Sequence, residues 1–303
     1  MTTDSHTRSL PSKWMHGICL VLVLLVSTAV SLKKEAYFGI VLYEGSANPF
    51  LGFYRFGLFT RTEPRTSSAQ EYTKQLLDIA SRFPLQRSFS GFTRDGQNVQ
   101  VVIDGVSGDS IGDLDATLFK VRVERFKSGA KTDNTSMFFW TGDIRVQALR
   151  ASPFSLAPED DRRLRIEAAN LYRNALDRLR PEDRPGDMIL GVAVAERVEK
   201  ALEVVAVQFP VILKGFDHDQ NDDRASIFFI YNLPNKQSVF GAFGHPEWST
   251  EATNVRMVKP LRYFVIGGDP NVYFVGEYFG AWEDVRTHAI FNLRTGQVLL
   301  ESY

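Results

Sequence analysis

The sequence predicts the α+β class: an N-terminal single transmembrane helix followed by a mainly antiparallel β-sheet domain with two or three covering helices. Three observations lead to this prediction. Residues 14–32 form one uncharged apolar run. Residues 158–180 repeat apolar side chains at spacings of three and four, the period of a helix that buries one face. From residue 204 onward, short apolar segments are separated by turn residues, as in antiparallel sheets.

The apolar run at residues 14–32 reads WMHGICLVLVLLVSTAVSL and is bracketed by Lys13 and Lys33. A helix of this length reaches about 28 Å at about 1.5 Å per residue, close to the roughly 30 Å hydrocarbon core of a bilayer. We therefore expect a signal-anchor that holds a single-pass protein in the cell membrane. The alternative is a signal peptide that is cleaved near Ala29, which would release a soluble exported protein.

The anchor divides the chain into four parts. They are a polar tail (1–13), the transmembrane helix (14–32), an aromatic juxtamembrane segment with its connector (33–66), and an extramembrane domain (67–303) with a candidate sub-boundary near residues 151–157. Basic residues flank both sides of the anchor equally, so the positive-inside rule does not fix its orientation. Because large C-terminal domains translocate largely regardless of charge, we expect the bulk of the chain on the extracytoplasmic side.

Apolar periodicity and turn residues predict the elements of the domain. We expect helices over residues 67–82, 158–180 and 193–203. Alternation with a period of two predicts strands within residues 89–146 and at 204–213, 225–231, 239–243, 262–266, 272–277, 288–293 and 297–300.

Residues 37–59 are unusually aromatic, with eight aromatic side chains and only two charges, Glu44 and Arg55. One interpretation is a pair of buried strands joined by a turn around residues 45–49. The other is a segment at the membrane surface, since it begins within five residues of the predicted anchor. In this segment we expect four aromatic residues to contact a partner or membrane lipid: Phe50, Phe53, Tyr54 and Phe56.

Composition limits the function classes. The 35 basic and 36 acidic residues leave a formal net charge of −1, which argues against a nucleic-acid partner. The single cysteine, Cys19, lies in the apolar run, so the domain has neither a disulfide nor a thiol nucleophile. No phosphate-binding glycine loop is present, and we expect no cofactor.

No catalytic residues can be named from the sequence, because the few histidines are not accompanied by a G-x-S-x-G elbow. The densest polar cluster offers a weak metal candidate, since oxygen ligands at alternate positions suit Ca²⁺: Asp217, Asp219, Asn221 and Asp223. The pattern then fails, with Asp222 where a calcium loop has Gly and Phe228 where it has Glu. A solvated turn between two strands is the simpler interpretation, so we expect no metal site.

The helix predicted over residues 158–180 carries four arginines outside its apolar stripe: Arg162, Arg163, Arg165 and Arg173. They could hold an acidic partner or anionic lipid headgroups. The acidic residues Glu159, Asp160, Asp161 and Glu167 lie among them, so a solvated face of balanced charge is the simpler interpretation.

The anchor, the aromatic segment and the missing catalytic signatures together suggest a function. We expect a membrane-anchored, non-catalytic accessory or assembly subunit, or a binding module, of a membrane protein complex. Its partners would be membrane lipid and one or more proteins. One alternative is an extracytoplasmic hydrolase that uses calcium through the loop at residues 217–223. The other is a soluble exported binding protein, if the N-terminal segment is cleaved.

Overall fold

The computed structural model describes residues 35–43, 45–62, 69–93, 96–106, 118–125, 137–177, 187–213, 225–244, 258–279 and 286–302. Within these residues the chain forms nineteen strands and two helices. In chain order they are β1 (Phe38–Tyr43), β2 (Ser46–Pro49), β3 (Gly52–Arg55), β4 (Leu58–Arg61), α1 (Ala69–Ser81), β5 (Ser88–Phe92), β6 (Asn98–Val106), β7 (Phe119–Arg125), β8 (Met137–Trp140), β9 (Val146–Ala148), β10 (Ala151–Phe154), α2 (Pro158–Leu176), β11 (Met188–Leu190), β12 (Val194–Val198), β13 (Val204–Leu213), β14 (Ser226–Asn232), β15 (Gln237–Gly244), β16 (Val258–Ile266), β17 (Tyr273–Phe279), β18 (Arg286–Asn292) and β19 (Val298–Glu301).

Six antiparallel strands close into a barrel in the order β1-β2-β7-β6-β5-β8. Phe83, just after α1, packs in its core against Phe89, Phe119 and Phe139, with ring centroids 5.8, 5.2 and 5.8 Å away. Gly39 allows this packing, because a Cβ there would lie 2.3 Å from the Phe139 ring. Aromatic side chains, which are abundant in the sequence, therefore fill the core of the barrel, and α1 helps to close it.

The central sheet has the order β19-β18-β17-β16-β9 and is buried on both faces. On the side of the barrel, Phe264 packs against Phe138 at 5.0 Å between ring centroids. On the opposite side, Phe274 stacks on Phe291 at 4.6 Å. Residues 272–276 are consequently buried without interruption, since alternate side chains enter two different cores.

The outer sheet has the order β10-β12-β13-β14-β15, and β11 continues the position of β12 by pairing with the C-terminal end of β13. Alternation along β13 divides its side chains between two cores. Val205 and Val207 lie under α2, whereas Val204 and Ala206 face the central sheet. The layers therefore follow one another as barrel, central sheet, outer sheet and α2.

Asp269 ties the hairpin β3–β4 to the central sheet. Its Oδ2 accepts hydrogen bonds from the hydroxyls of Tyr54 (2.8 Å) and Tyr273 (2.7 Å). Its Oδ1 accepts from the backbone and side-chain N–H groups of Asn271, both at 2.9 Å. Burial, reinforced by the carboxylate, raises the pKa of both tyrosines far above the usual value, so both hydroxyls remain donors.

The predicted α+β class is wrong, because the described chain is mostly β-strand and has two helices. Helices were expected near α1 and α2, and the structure has them there. The third expected helix, at residues 193–203, is instead β12 followed by a turn. Val194–Val198 pairs with β10 on one side and β13 on the other. A short segment that contains Val and Ala is compatible with the period of a helix and with that of a strand. Pairing with two distant strands favours the strand conformation here.

The expected transmembrane fold and single-pass cell-membrane localisation are also corrected. No helix within the described residues is long and apolar enough to cross a membrane. The predicted span at residues 14–32 lies outside those residues. The neighbouring aromatic segment forms β1–β4, with Phe38 and Phe50 fully buried among protein side chains. Its aromatic character therefore reflects packing within the protein.

The hydrogen bond from Tyr54 to Asp269 can be tested by a double-mutant cycle. Tyr54→Phe should lower the free energy of unfolding by about 1.5–3 kcal/mol, because a donor to a carboxylate is lost. In an Asp269→Ala background the same substitution should cost little. Urea denaturation of the four proteins gives the coupling energy. A coupling energy near zero would show that the hydroxyl and the carboxylate do not depend on each other.

Candidate functional site

The structure separates the four aromatic residues that were expected to contact a partner or lipid. Phe50 and Tyr54 lie in the core between the barrel and the central sheet. Phe53 is partly buried, with its ring 5.7 Å from that of Tyr37. Phe56 is 58% exposed at the tip of the hairpin β3–β4, next to Leu58. Phe56 is therefore the member of this set whose side chain lies mainly at the surface.

The weak metal candidate, formed by Asp217, Asp219, Asn221 and Asp223, lies outside the described residues. Elsewhere, among the residues that the structure does describe, no three side chains of His, Cys, Asp or Glu are grouped so that they could hold a metal ion.

Strand β15 is the last strand of the outer sheet and pairs with β14 on one side. None of the described strands pairs with the other side of residues 237–242. These residues read QSVFGA and carry no charge. Natural sheet edges are usually guarded by charges, prolines or bulges, because an open edge offers backbone donors and acceptors to any extended chain. β15 has a bulge at Val239 but carries no charge and no proline, so the regularly paired part of its edge at residues 240–242 is a candidate interaction site.

Helix α2 runs alongside β15 in the same direction, as successive contacts show. Near the start, Lys236 forms an ion pair with Glu159 and its carbonyl accepts a hydrogen bond from Arg163. One turn of the helix further on, Ser238 donates to the carboxylate of Glu167. Near the end, the rings of Tyr172 and Phe243 lie 5.5 Å apart.

The sequence of α2 explains why it lies in this place. Pro158 at the first turn and three acidic residues after it suit the positive N-terminal end of a helix. Leu164, Ala168 and Ala175 form an apolar stripe that packs on the outer sheet. Asp160, the buried residue of the first turn, accepts at Oδ1 a hydrogen bond of 2.6 Å from the hydroxyl of Tyr231. This bond fixes the N-terminal end of α2 on β14.

The arginines of α2 are divided between its two flanks. Arg165 turns toward β11 and β13, where it bonds Asp161 at 2.7 Å and the carbonyl of Gly191 at 3.2 Å, and its guanidinium lies 5.3 Å from the Phe209 ring. Arg163 lies on the flank toward β15, where it donates to the carbonyl of Lys236, and Arg162 is exposed in a depression lined by α2 residues. The four arginines therefore do not form one face, which the helical spacing alone did not resolve.

A groove follows the β15 flank of α2; we call it the α2–β15 groove. It has two depressions that share Glu167. The first, of about 300 Å³, is lined by that residue with Asn170, Leu171, Asn174, Phe229, Ser238, Val239, Phe240 and Gly241. The second, of about 460 Å³, continues from Glu167 along the outer surface of α2 and, among the described residues, is lined by α2 residues alone: Glu167 with Pro158, Glu159, Arg162, Arg163 and Ile166.

The floor of the first depression depends on a glycine. A Cβ at Gly241 would lie 2.9 Å from the ring of Phe229 and 3.1 Å from the side chain of Leu171. The missing side chain lets α2 approach the sheet closely and leaves apolar carbon at the floor. The wall above it is polar, from Asn170 and Asn174. An apolar side chain held beside amide groups is what this arrangement can accept.

Sequence reasoning did not identify this groove. It predicted a strand at residues 239–243, but the edge position of that strand depends on which other strands pair with it. The one signal present in the sequence is the lack of charge over the whole of Gln237–Gly244. In a strand with one side unpaired by any described strand, that lack is unusual.

Comparison of this chain with protein-family models, with curated proteins and with solved structures finds no match.

The hydrogen bond that fixes α2 predicts a pH-dependent stability difference. Burial, together with Asp160, raises the pKa of Tyr231 to about 12. Tyr231→Phe should lower the free energy of unfolding by about 1.5–3 kcal/mol at neutral pH, because Asp160 loses a donor. The tyrosine pKa is higher in the folded state than in the unfolded state, where it is about 10. The protonated hydroxyl therefore stabilises the fold fully below about pH 10, and this stabilisation is lost as pH rises through about 12.

The effect is measured by urea denaturation of the unaltered protein and Tyr231→Phe at about pH 8 and about pH 12. Taking the difference in unfolding free energy between the two proteins at each pH cancels the contribution of other groups that titrate in alkali. The difference should be large at the lower pH and small at the higher one. An equal difference at both would contradict the assignment.

Proposed function

We propose that this chain is a non-catalytic protein-interaction module. It binds an extended segment of a partner protein as an added strand on β15, inside the α2–β15 groove. The observation that carries the proposal is the uncharged edge at residues 237–242, which lies directly beside a groove with an apolar floor. Strand addition to an open sheet edge is a recurring mode of peptide recognition.

The backbone of β15 supports an extended partner. Beyond the bulge at Val239, the edge presents N–H and C=O groups in a regular row, and another extended backbone matches that row. Such hydrogen bonds supply affinity with little dependence on the partner sequence. Because the edge residues are uncharged, an approaching backbone meets no repulsion and has no charged side chain to desolvate.

The flank of α2 supplies the selectivity that a bare edge lacks. Side chains of an added strand alternate between the two faces of the sheet, so every second one points toward α2. One such side chain would lie over the floor formed by Leu171, Phe229 and Gly241. The contacts of α2 with Lys236, Ser238 and Tyr231 hold this wall in place before a partner arrives. Preorganisation of this kind reduces the entropy lost on binding.

The proposal retains the function expected from the sequence, a binding module, but assigns binding to different residues. The expected contact residues were aromatic side chains near the N-terminus, and two of the four are core residues. The α2–β15 groove offers backbone pairing and a side-chain depression in one place.

Alternate N-methylation of a bound peptide tests the proposal. Peptides are first selected against the full chain from a phage-displayed random library, and their affinities are measured by fluorescence anisotropy. In a strand added to β15, every second peptide N–H faces the edge. Methylating that set should weaken binding by about tenfold or more, because each lost backbone bond costs about 1 kcal/mol. Methylating the other set should have little effect. Equal effects of the two sets would contradict strand addition.

A pair of Val→Lys variants provides the matched protein control. Val239 lines the groove and is 40% exposed, whereas Val194 is 57% exposed on β12 of the same sheet and does not line the groove. Val239→Lys should lower the affinity of the selected peptides, because lysine guards a sheet edge against pairing. Val194→Lys should leave the affinity unchanged. The opposite order of effects would locate binding elsewhere.

A further inference from the structure

We infer that the segment bound in the α2–β15 groove is acidic. It carries an Asp or Glu side chain at the Arg162–Arg163 end of the groove and an apolar side chain over Gly241, at positions four or six residues apart in sequence. This inference rests on the proposed function and adds the chemistry of the partner segment.

The charges of the groove favour a carboxylate at one end. Glu159 forms an ion pair with Lys236, so these two charges compensate each other. Arg162 and Arg163 are adjacent and exposed, and within the described residues neither takes part in an ion pair. Arg163 donates only to a neutral backbone carbonyl there. Both arginines line the same depression, and a guanidinium group offers the forked donors that a carboxylate accepts.

The remaining carboxylate of the groove does not cancel this preference. Glu167 already accepts a hydrogen bond from Ser238, which turns its charge toward β15. It lies where the two depressions meet, between the arginine end and the apolar floor. A partner segment can therefore place a carboxylate beside the arginines and keep uncharged residues beside Glu167.

The spacing follows from strand geometry. Arg163 contacts Lys236 in the turn before β15, and Leu171 lies beside Gly241 within β15. The two points are five residues apart in sequence, and because the bulge at Val239 shortens the path they lie at most about 16 Å apart at about 3.3 Å per residue. Side chains that share one face of a strand are an even number of residues apart. The two anchoring side chains of the partner are therefore four or six residues apart.

The peptides selected against the full chain test this inference. Those whose binding is sensitive to alternate N-methylation should be enriched in Asp or Glu four or six residues from an apolar residue. Replacing that acid by its amide should weaken binding by roughly fivefold or more, as expected for loss of a charge-assisted contact. The loss should shrink in high salt.

Charge reversal on the protein is the complementary arm. Arg162→Glu should weaken binding of the acidic peptide and abolish the difference between acid and amide peptides. Arg87→Glu, an exposed arginine outside the groove, should change neither. The acid-to-amide exchange uses the unaltered protein, so it decides the question even where a variant folds poorly.

The outcomes separate the two proposals. If N-methylation-sensitive peptides bind but show no acidic preference, and the amide exchange leaves the affinity unchanged, the acidic partner is wrong while strand addition stands. If no selected peptide responds to alternate N-methylation, strand addition fails and the acidic segment fails with it.

Discussion

Burial of both faces of the central sheet is the constraint on which the rest of this fold depends. Aromatic rings enter two separate cores from adjacent residues of one strand, as Tyr273 and Phe274 show. Each core then needs a cover, and the barrel and the outer sheet provide the two covers. The outer sheet is left with one face for α2. Burial of both faces of the central sheet therefore determines the order of the layers, and the candidate interaction site depends on that order.

Because α2 lies on the outer sheet beside β15, the edge of that sheet borders a groove. Its apolar stripe packs on the sheet, and the hydrogen bond from Tyr231 to Asp160 fixes its N-terminal end. The helix then runs along β15 and leaves the outer side of that strand uncovered by any described strand. Gly241 brings the helix close enough to make a floor. Core packing and the candidate site thus share the same few contacts.

Local signals predicted those parts of the fold that depend on local periodicity. The stripe of α2 and the apolar run of Val204–Leu213 are readable because each lies within one segment. The assignment failed at Val194–Val198, where pairing with two distant strands selects the conformation. Barrel closure, the layer order and the edge position of β15 depend on the same non-local pairing. The groove was missed because its two walls are about 70 residues apart in the chain, joined by contacts such as that of Glu167 with Ser238.

Hydrogen exchange along β15 in the free protein tests the central claim most directly, because it reports whether the outer backbone row of residues 237–242 is open. The account predicts two classes of amide, which alternate along residues 240–242 beyond the bulge at Val239. Those that point toward β14 exchange slowly, and those that point away exchange at rates close to those of an unprotected chain. Uniform slow exchange along these residues would show that the edge is already paired, and it would contradict the account.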